Sequence, residues 1–429
     1  MVKCSDLVVL LLLLPLSTHQ SAAFAPVSSL IVLPAVDNGR KFLGGICMMQ
    51  HPLTLKYGEL RELVGERDAR SAWNLYRIGR DPSAAPDAEA SRKYTVSAAG
   101  REVLVKTPLP ALVRTEQVSV AKDGTCKVLV RLADGHGIET VLIPPMRTET
   151  DARSSRAKTS LCVSSQVGCM RGCRFCATGA MGIVRNLAAP EILASVVLSR
   201  NEAATQGMPS VDNIVFMGMG EPLDNPLALM QAVEVLTDAD RFGFSKSKVL
   251  VSTVGPSPEA IQILAGLDCP IAWSVHATHD VTRKELVPST RHTMLQLRSS
   301  MMDVLSERAG RGALHSLMVE YVLLRDVNDS LQQARELAHF LLPMHTVTRD
   351  PTTPHRKRTG LLVNLIPFNE GAGAGESGGL NGYTRPSRQT VEDFQKELRR
   401  CGVWASVRVQ RGDDESAACG MLATTRVQT

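Results

Sequence analysis

Aromatic residues are scarce in this chain of 429 residues, and its charge is nearly balanced. Phe, Trp and Tyr together make up 4% of the sequence, and the formal net charge is +5 with a pI near 8.7. Strong nucleic-acid binders usually combine a basic excess with aromatic stacking platforms, so this composition permits RNA binding without indicating it. The 44% hydrophobic content can bury a large core, which predicts one large domain and a smaller one.

The sequence contains only one cluster of closely spaced cysteines. The 10 cysteines are too scattered for a small disulfide-stapled scaffold, but Cys169, Cys173 and Cys176 form a CxxxCxxC run. No CxxC pair elsewhere supplies a fourth ligand. If these thiolates hold an iron–sulfur cluster, one iron stays open to a small molecule. The alternative is a zinc knuckle closed by a distant cysteine or by His276 or His279, and the open cluster is favoured over it.

Four sequence blocks narrow this interpretation. They are residues 161–169 (LCVSSQVGC), 218–223 (GMGEPL), 274–277 (SVHA) and 411–420 (RGDDESAACG). The cysteine spacing matches the cluster signature of radical S-adenosylmethionine (SAM) enzymes. The blocks together resemble the RlmN-type adenine methyltransferases of ribosomal and transfer RNA. The resemblance covers residues 139 to about 422, and the N-terminal third matches only loosely.

Apolar runs and helical periods alternate after Thr159, which predicts six βα units. An open parallel sheet and an incomplete barrel both fit this alternation, and the resemblance implies the partial (β/α)6 barrel of radical SAM enzymes, an α/β fold. The strands are predicted at 161–166, 213–217, 248–253, 270–275, 318–324 and 361–366. The helices are predicted at 189–202, 226–238, 294–308, 331–342 and 386–401.

The remaining segments have their own patterns. Residues 50–90 predict a small helical accessory domain and a linker, and residues 91–150 a β segment with strands at 102–105, 127–132 and 139–144. Residues 151–411 are assigned to the barrel and 412–429 to a C-terminal tail. Residues 345–360 are predicted to be an exposed basic insertion. It is a candidate for RNA phosphate contacts, but a solvated surface is the favoured interpretation.

The motifs follow predicted strands, so they should meet at the C-terminal mouth of the sheet, where ligands bind in both architectures. The resemblance implies that the GMGE turn binds the amino group of SAM and that the other positions contact its carboxylate, ribose or adenine. It also implies a [4Fe-4S] cluster on Cys169, Cys173 and Cys176. The implied SAM-binding residues are Gly220, Glu221, Ser252, Ser274, Val275, His276 and Asn369.

Two further cysteines, Cys162 and Cys419, would each be small buried hydrophobes if taken alone. The resemblance implies instead that the Cys419 thiolate receives a methyl group from one SAM. A second SAM then supplies the radical that activates this methyl for addition to C2 of adenine. Glu139, otherwise a strand-edge carboxylate, would remove the C2 proton. Cys162 would then release the protein–RNA crosslink through a disulfide with Cys419.

The substrate class also rests on the resemblance, which implies ribosomal RNA and leaves transfer RNA open. The target adenine must leave its stack or lie in a loop to reach a buried site. A reductase such as ferredoxin or flavodoxin is expected to supply electrons, and the chain is expected to be a monomer. Adenine C8 methylation, another radical SAM RNA modification and a zinc-containing RNA-binding module are the alternatives.

The N-terminal residues suggest a targeting segment. Residues 7–16 form an apolar run too short to span a bilayer but suited to a signal-peptide core. Secretion into an oxidising compartment conflicts with cluster and thiol chemistry. Residues 21–26 (SAAFAP) resemble the cleavage motif of bipartite plastid presequences. Residues 1–49 are therefore predicted to direct the chain to the plastid stroma, without membrane association after import; other organelles, the cytoplasm and secretion are the alternatives.

Overall fold

A ten-stranded mixed sheet organises the chain in the computed structural model. The residues that it describes are 51–84, 93–145, 158–348, 360–370, 380–409, 411–412, 417–418 and 420–422. The predicted targeting segment 1–49, most of the predicted insertion and Cys419 lie outside them. The strands are β1 (Val113–Val120), β2 (Cys126–Leu132), β3 (Gly137–Ile143), β4 (Thr159–Cys162), β5 (Gln166–Gly168), β6 (Ile183–Asn186), β7 (Val211–Phe216), β8 (Val249–Thr253), β9 (Ile271–Ser274), β10 (Leu317–Leu323), β11 (Leu361–Pro367) and β12 (Ala405–Val407).

The ten-stranded sheet has an antiparallel part and a parallel part. The order is β1-β2-β3-β4-β7-β8-β9-β10-β11-β12, while β5 and β6 pair separately. Strands β1 to β4 are antiparallel neighbours, whereas every neighbouring pair from β4 to β12 is parallel. The parallel part contains the six predicted strands in their predicted order. The structure therefore confirms the α/β fold with a barrel-like parallel sheet.

Helices alternate with the parallel strands, as the sequence periodicity predicts. Their ends follow local capping rules: at α10, Thr293 Oγ1 accepts from the Gln296 amide, and Gln296 Oε1 accepts from the Thr293 amide. The helices are α1 (Tyr57–Val64), α2 (Glu66–Arg77), α3 (Ala98–Leu104), α4 (Leu109–Leu112), α5 (Ala177–Met181), α6 (Ala189–Thr205), α7 (Pro226–Thr237), α8 (Pro258–Gln262), α9 (Asp280–Leu286), α10 (Met294–Gly310), α11 (Leu331–Thr348) and α12 (Arg388–Arg400).

The N-terminal region is helical, as predicted, and it is bound to the barrel by cation contacts. Trp73 on α2 is buried and packs edge-on against Phe242. Arg200 on α6 donates to the Arg77 carbonyl at 2.7 Å, and its guanidinium lies 4.3 Å from the centre of the Phe244 ring. Among the described residues, none of the helices is both long and apolar enough to cross a membrane.

Three local predictions are wrong. The stretch 102–105 ends helix α3 instead of forming a strand, because Ser97 caps that helix by accepting from the Gly100 amide. The predicted strand 161–166 is divided between β4 and β5, which belong to different sheets. The predicted insertion 345–360 begins too early, since α11 continues to Thr348, whose side chain is buried. Strands β1, β6 and β12 are absent from the sequence prediction.

Candidate active site

A cavity opens at the C-terminal ends of the parallel strands. It encloses about 990 Å³ of space open to solvent. The side chains and glycines around it come from the loops that follow β4, β7, β8 and β11 and from the ends of β9 and β10. They include the three motif cysteines and most of the predicted SAM positions: Cys169, Cys173, Cys176, Gly220, Glu221, Ser252, Ser274, His276 and Asn369.

The cysteine loop follows β5 and leads into the short helix α5. Cys169 and Cys173 are buried, and Cys176 is half-buried. Burial raises the pKa of Cys169 to about 12, with the Cys176 thiol and nearby carboxyls adding to the shift. Burial likewise raises the pKa of Cys173, again helped by Cys176 and Cys169. A positively charged group bound between these thiols would lower their pKa values and favour the thiolate forms.

The three thiols of this loop are ligands that fit an iron–sulfur cluster. In the described part of the chain, no three His, Cys, Asp or Glu side chains converge on one point that would hold a metal ion. A four-iron cluster takes each thiolate on a different iron, so its ligands need to share a cavity but not a point. The three cysteines line one cavity, and the predicted cluster residues fit this group.

The first arginine of the loop is held by a carboxylate. Arg171 donates to both carboxylate oxygens of Asp224, at 2.8 and 2.9 Å. This bidentate pair connects the cysteine loop to the segment after the GMGE turn. Arg174 is exposed, and its amide donates to the Leu286 carbonyl. Of the two arginines in this loop, Arg171 thus has its charge balanced locally.

The GMGE turn needs glycine at two positions. A Cβ on Gly218 would lie 2.7 Å from the Val163 carbonyl oxygen, and one on Gly220 would lie 2.6 Å from the Gln166 side chain. Gly220 also has φ +100°, which disfavours other residues. The turn therefore packs directly against the segment between β4 and β5, which leads to the cysteines.

Glu221 is a buried carboxylate with three protein donors. Oε1 accepts from Thr253 Oγ1 at 2.6 Å and from the Leu223 amide at 3.0 Å, and Oε2 accepts from the Val254 amide at 2.9 Å. Burial nevertheless raises its pKa to about 7, against the effect of these hydrogen bonds. A carboxylate has about four acceptor positions, so room remains for one more donor, such as an amino group.

His276 is held as a neutral imidazole. Its Nδ1 accepts from the Val322 amide at 3.1 Å, so Nε2 carries the proton. Burial lowers its pKa well below the usual value, and Arg283 adds to this. Phe175 packs edge-on against the ring at 4.7 Å between centroids. His276 also has φ 57°, and its carbonyl accepts from Asn328, which fixes this backbone conformation.

The other predicted SAM positions differ in their access to the cavity. Ser252, Ser274 and Asn369 line it. Val275 is completely buried, and its backbone is already used: its amide donates to the Glu320 carbonyl, and its carbonyl accepts from Arg283.

Cys162 and Glu139 lie on neighbouring strands below the cysteine loop. Cys162 is buried at the end of β4, and no disulfide joins any pair of the described cysteines. Glu139 on β3 is buried and pairs with Lys127 at 3.2 Å between Oε1 and Nζ. It therefore lies inside the sheet and not at a strand edge. The Ser164 hydroxyl donates to the Glu139 carbonyl and accepts from the Met219 amide of the GMGE turn.

The residues on both sides of Cys419 are attached to the site, although Cys419 itself lies outside the described residues. The Gly420 carbonyl accepts from the Ala177 amide at 2.7 Å, directly after the last motif cysteine. Gly420 also lines the cavity. Ala418 is buried and lines a second, adjoining cavity of about 460 Å³ that shares Asn369 with the first.

Sequence reasoning missed three charged residues near the cavity. Glu320 and Arg408 line it, and Arg283 is buried behind it. Arg283 donates to the carbonyls of Val254 and Ser274, at 2.7 and 3.0 Å. For Glu320 the sequence did contain a signal, because it is the single acidic residue in the otherwise apolar strand β10. A buried strand rarely carries a charged side chain unless that side chain is paired or binds a ligand.

No protein-family model matches the chain. Curated relatives match most of it. The dual-specificity RNA methyltransferase RlmN of Geotalea uraniireducens is 37% identical over 322 residues, which cover 75% of this chain and 82% of that protein. Proteins of the same name are 35% identical in Dinoroseobacter shibae, covering 72% of each chain. In Magnetococcus marinus the identity is 39%, covering 74% of this chain and 78% of that protein.

A solved structure resembles this chain in fold, and the match covers nearly the whole of the solved chain. A radical SAM methyltransferase from Sphaerobacter thermophilus matches with a TM-score of 0.68 and 34% identity, covering 86% of this chain and 98% of that chain. Sequence and fold thus point to the same group of proteins.

Proposed function

Since this chain belongs to the RlmN family of dual-specificity RNA methyltransferases, we propose that it is a radical SAM enzyme that methylates C2 of an adenine in RNA. One observation carries the proposal. The three motif cysteines, the GMGE turn and Gly420, the neighbour of Cys419, all line one cavity. A cluster, a SAM molecule and a methyl-accepting thiol are what such chemistry must bring together.

The cysteine loop would hold a [4Fe-4S] cluster through Cys169, Cys173 and Cys176. When bound, this cluster would supply the electron for the reductive cleavage of SAM. The ring of Phe175, within this loop, packs edge-on against His276. The Arg171–Asp224 pair keeps the loop beside the GMGE turn.

Glu221 would bind the amino group of SAM with its remaining acceptor position. Its other positions are held by Thr253, Leu223 and Val254, so the carboxylate is oriented before the ligand arrives. Ser252, Ser274, His276 and Asn369, which line the cavity, would contact the carboxylate, ribose or adenine of SAM. Val275, whose amide and carbonyl are hydrogen-bonded within the protein, would act by holding its neighbours Ser274 and His276 in place.

Three residues would act on the RNA base and its methyl group. The Cys419 thiolate accepts a methyl group, and Glu139 takes the proton from adenine C2 at a carboxylate oxygen. Lys127 places a positive charge 3.2 Å from that carboxylate, which favours the ionised form needed by a base. Cys162 then forms a transient disulfide with Cys419 to release the product.

Substrate RNA, electron donor and location belong to the same proposal. The substrate is ribosomal RNA, with transfer RNA as a second substrate, and a ferredoxin or flavodoxin reduces the cluster. The chain acts as a monomer in the plastid stroma. A fluorescent fusion of residues 1–49 tests the location, and accumulation outside plastids would contradict it.

Nucleoside mass spectrometry tests the reaction. The chain is reconstituted anaerobically with iron and sulfide, then incubated with ribosomal or transfer RNA, SAM and a reductant. We expect 2-methyladenosine, and 8-methyladenosine would instead place the chain with the C8-methylating relatives. Loss of both products in a fully reconstituted enzyme would contradict the proposal.

Two variants separate the roles of the cysteines. Cys419→Ala should give no methylated adenosine, because no thiolate accepts the methyl group. Cys162→Ala should leave enzyme covalently attached to RNA, visible as a shifted band on a denaturing gel. Cys401→Ala, at the end of α12, is the matched control and should turn over normally. Normal turnover by either of the first two variants would refute the assigned roles.

A further inference from the structure

Four polar residues lie side by side across the parallel sheet. Ser274 on β9 is in register with Glu320 on β10, Glu320 with Asn364 on β11, and Asn364 with Ser406 on β12. Residues in register on parallel strands point to the same face of the sheet. Ser274 and Glu320 both line the main cavity, so this face is the cavity floor.

Glu320 has an acceptor that the protein leaves unused. The residue is 3% exposed, and its Oε2 accepts from Asn364 Nδ2 at 2.9 Å. Its Oε1 is buried and has no hydrogen-bond partner. A buried carboxylate oxygen without a donor is unfavourable, and most such groups are satisfied in folded proteins. Since Glu320 faces the cavity, the missing donor belongs to whatever occupies it.

The surroundings of Glu320 restrict that donor. Ser274, the neighbour in register, is a position at which the family resemblance implies SAM binding. Val322, two residues after Glu320 on β10, also lines the cavity. The rings of Phe368 and His276 line it as well. These apolar and aromatic groups suit a flat base. The carboxylate beside them suits hydroxyl groups, and an acidic residue on a ribose hydroxyl is a common way for proteins to hold a nucleoside.

We propose that Glu320 binds the ribose hydroxyls of SAM through Oε1, with Asn364 as the residue that positions its carboxylate. The inference rests on the proposed function, because it takes SAM as the occupant of the cavity. Glu320 then fixes the sugar, and through it the 5′ carbon, relative to the cysteine loop. Asn364 acts indirectly, through its hydrogen bond to Oε2.

The test measures the binding of S-adenosylhomocysteine, which has the ribose and adenine of SAM but no methyl group to transfer. Equilibrium dialysis on the cluster-reconstituted chain compares it with its 2′-deoxy and 3′-deoxy analogues. In the unmodified chain we expect at least one analogue to bind about tenfold or more weakly, because a hydrogen bond to a charged group is lost. In Glu320→Ala this penalty should fall to about twofold or less.

Glu307→Ala is the matched control, since Glu307 is exposed on α10 and away from the cavity. It should keep the full deoxy penalty. If Glu320→Ala does not fold or does not take up iron, Glu320→Gln serves instead, and it should reduce the penalty because the acceptor loses its charge.

The outcomes are distinguishable. If the reconstituted chain does not bind S-adenosylhomocysteine, the proposed function fails and this inference fails with it. If the chain binds the ligand but Glu320→Ala retains the full deoxy penalty, only the inference is overturned. Unchanged ligand affinity with loss of RNA methylation would assign Glu320 to the target adenine instead, and would equally overturn the ribose assignment.

Discussion

The two walls of the cavity treat their buried charges differently. On the wall formed by the cysteine loop, the GMGE turn and the end of β8, protein groups satisfy each charge: Glu221 has three donors, and Arg171 and Asp224 form a bidentate pair. On the opposite wall, formed by β9 to β11, Glu320 has one donor and an unused oxygen. The first wall is thus largely fixed by protein contacts, with one further acceptor position on Glu221, whereas the second leaves a whole carboxylate oxygen of Glu320 for a ligand.

The largest expected effect comes from removing a cluster ligand on the fixed wall. Cys173→Ser should lose the cluster and give no methylated RNA above background, because a serine oxygen is a poor substitute for a thiolate. Iron content and visible absorption after anaerobic reconstitution measure this. Cys401→Ser, a half-buried cysteine at the end of α12, should keep both. A Cys173→Ser chain with full iron content would remove the basis for the cluster assignment.

The next effect compares the two glutamates directly. Glu221→Ala should lower the free energy of unfolding by about 3 kcal/mol, because it leaves the donors of Thr253, Val254 and Leu223 without their acceptor. Glu320→Ala should change it by less than about 1 kcal/mol, since it removes a buried carboxylate whose Oε1 has no partner. Urea unfolding of both variants measures the difference. Equal losses would show that the two walls are not distinct in this respect.

The smallest effect is a pH dependence of ligand binding. The pKa of Glu221 is raised to about 7 by burial, so the carboxylate ionises as the pH rises from 6 to 8. An amino group binds the ionised form, so affinity for S-adenosylhomocysteine should increase about tenfold over this range. The negative charge of a bound cluster would move the midpoint upward. Glu221→Gln should flatten the profile, and a wild-type profile that is flat or falls with pH would contradict the assignment.

The same shift affects the folded chain without ligand. Because the pKa of Glu221 is higher in the folded state than in the unfolded state, its contribution to stability is present in full below about 4.5 and is lost as the pH rises through about 7. Ligand binding and folding should therefore respond to pH in opposite directions at this residue.

The sequence predicted the repeating parts of the fold and missed those that depend on distant contacts. Strands such as β8 and β11 are apolar runs between helical periods, so the βα alternation was readable. The stretch 102–105 looks equally apolar, but the cap at Ser97 and the burial of Leu104 decide for a helix. The three-residue strand β12 is too short to be recognised without its partner β11.

The site residues divide in the same way, into those that a local sequence pattern reveals and those that depend on distant contacts. Cys169, Cys173 and Cys176 were identified because their spacing alone brings three thiols together. His276 was identified because a family block contains it, and Asn369 because the resemblance implies it. Glu320 was not, since its role depends on its register with Ser274 and Asn364 on other strands. No spacing within one strand reveals such a row.

The Ser164 hydroxyl places a limit on how this chain could change during evolution. It joins the Glu139 carbonyl to the Met219 amide, so one oxygen atom bridges β3 and the GMGE turn. Replacing it with alanine would release both partners at once. The length of the chain from Cys162 to Cys169, which contains Ser164, should therefore stay constant among descendants that keep the activity.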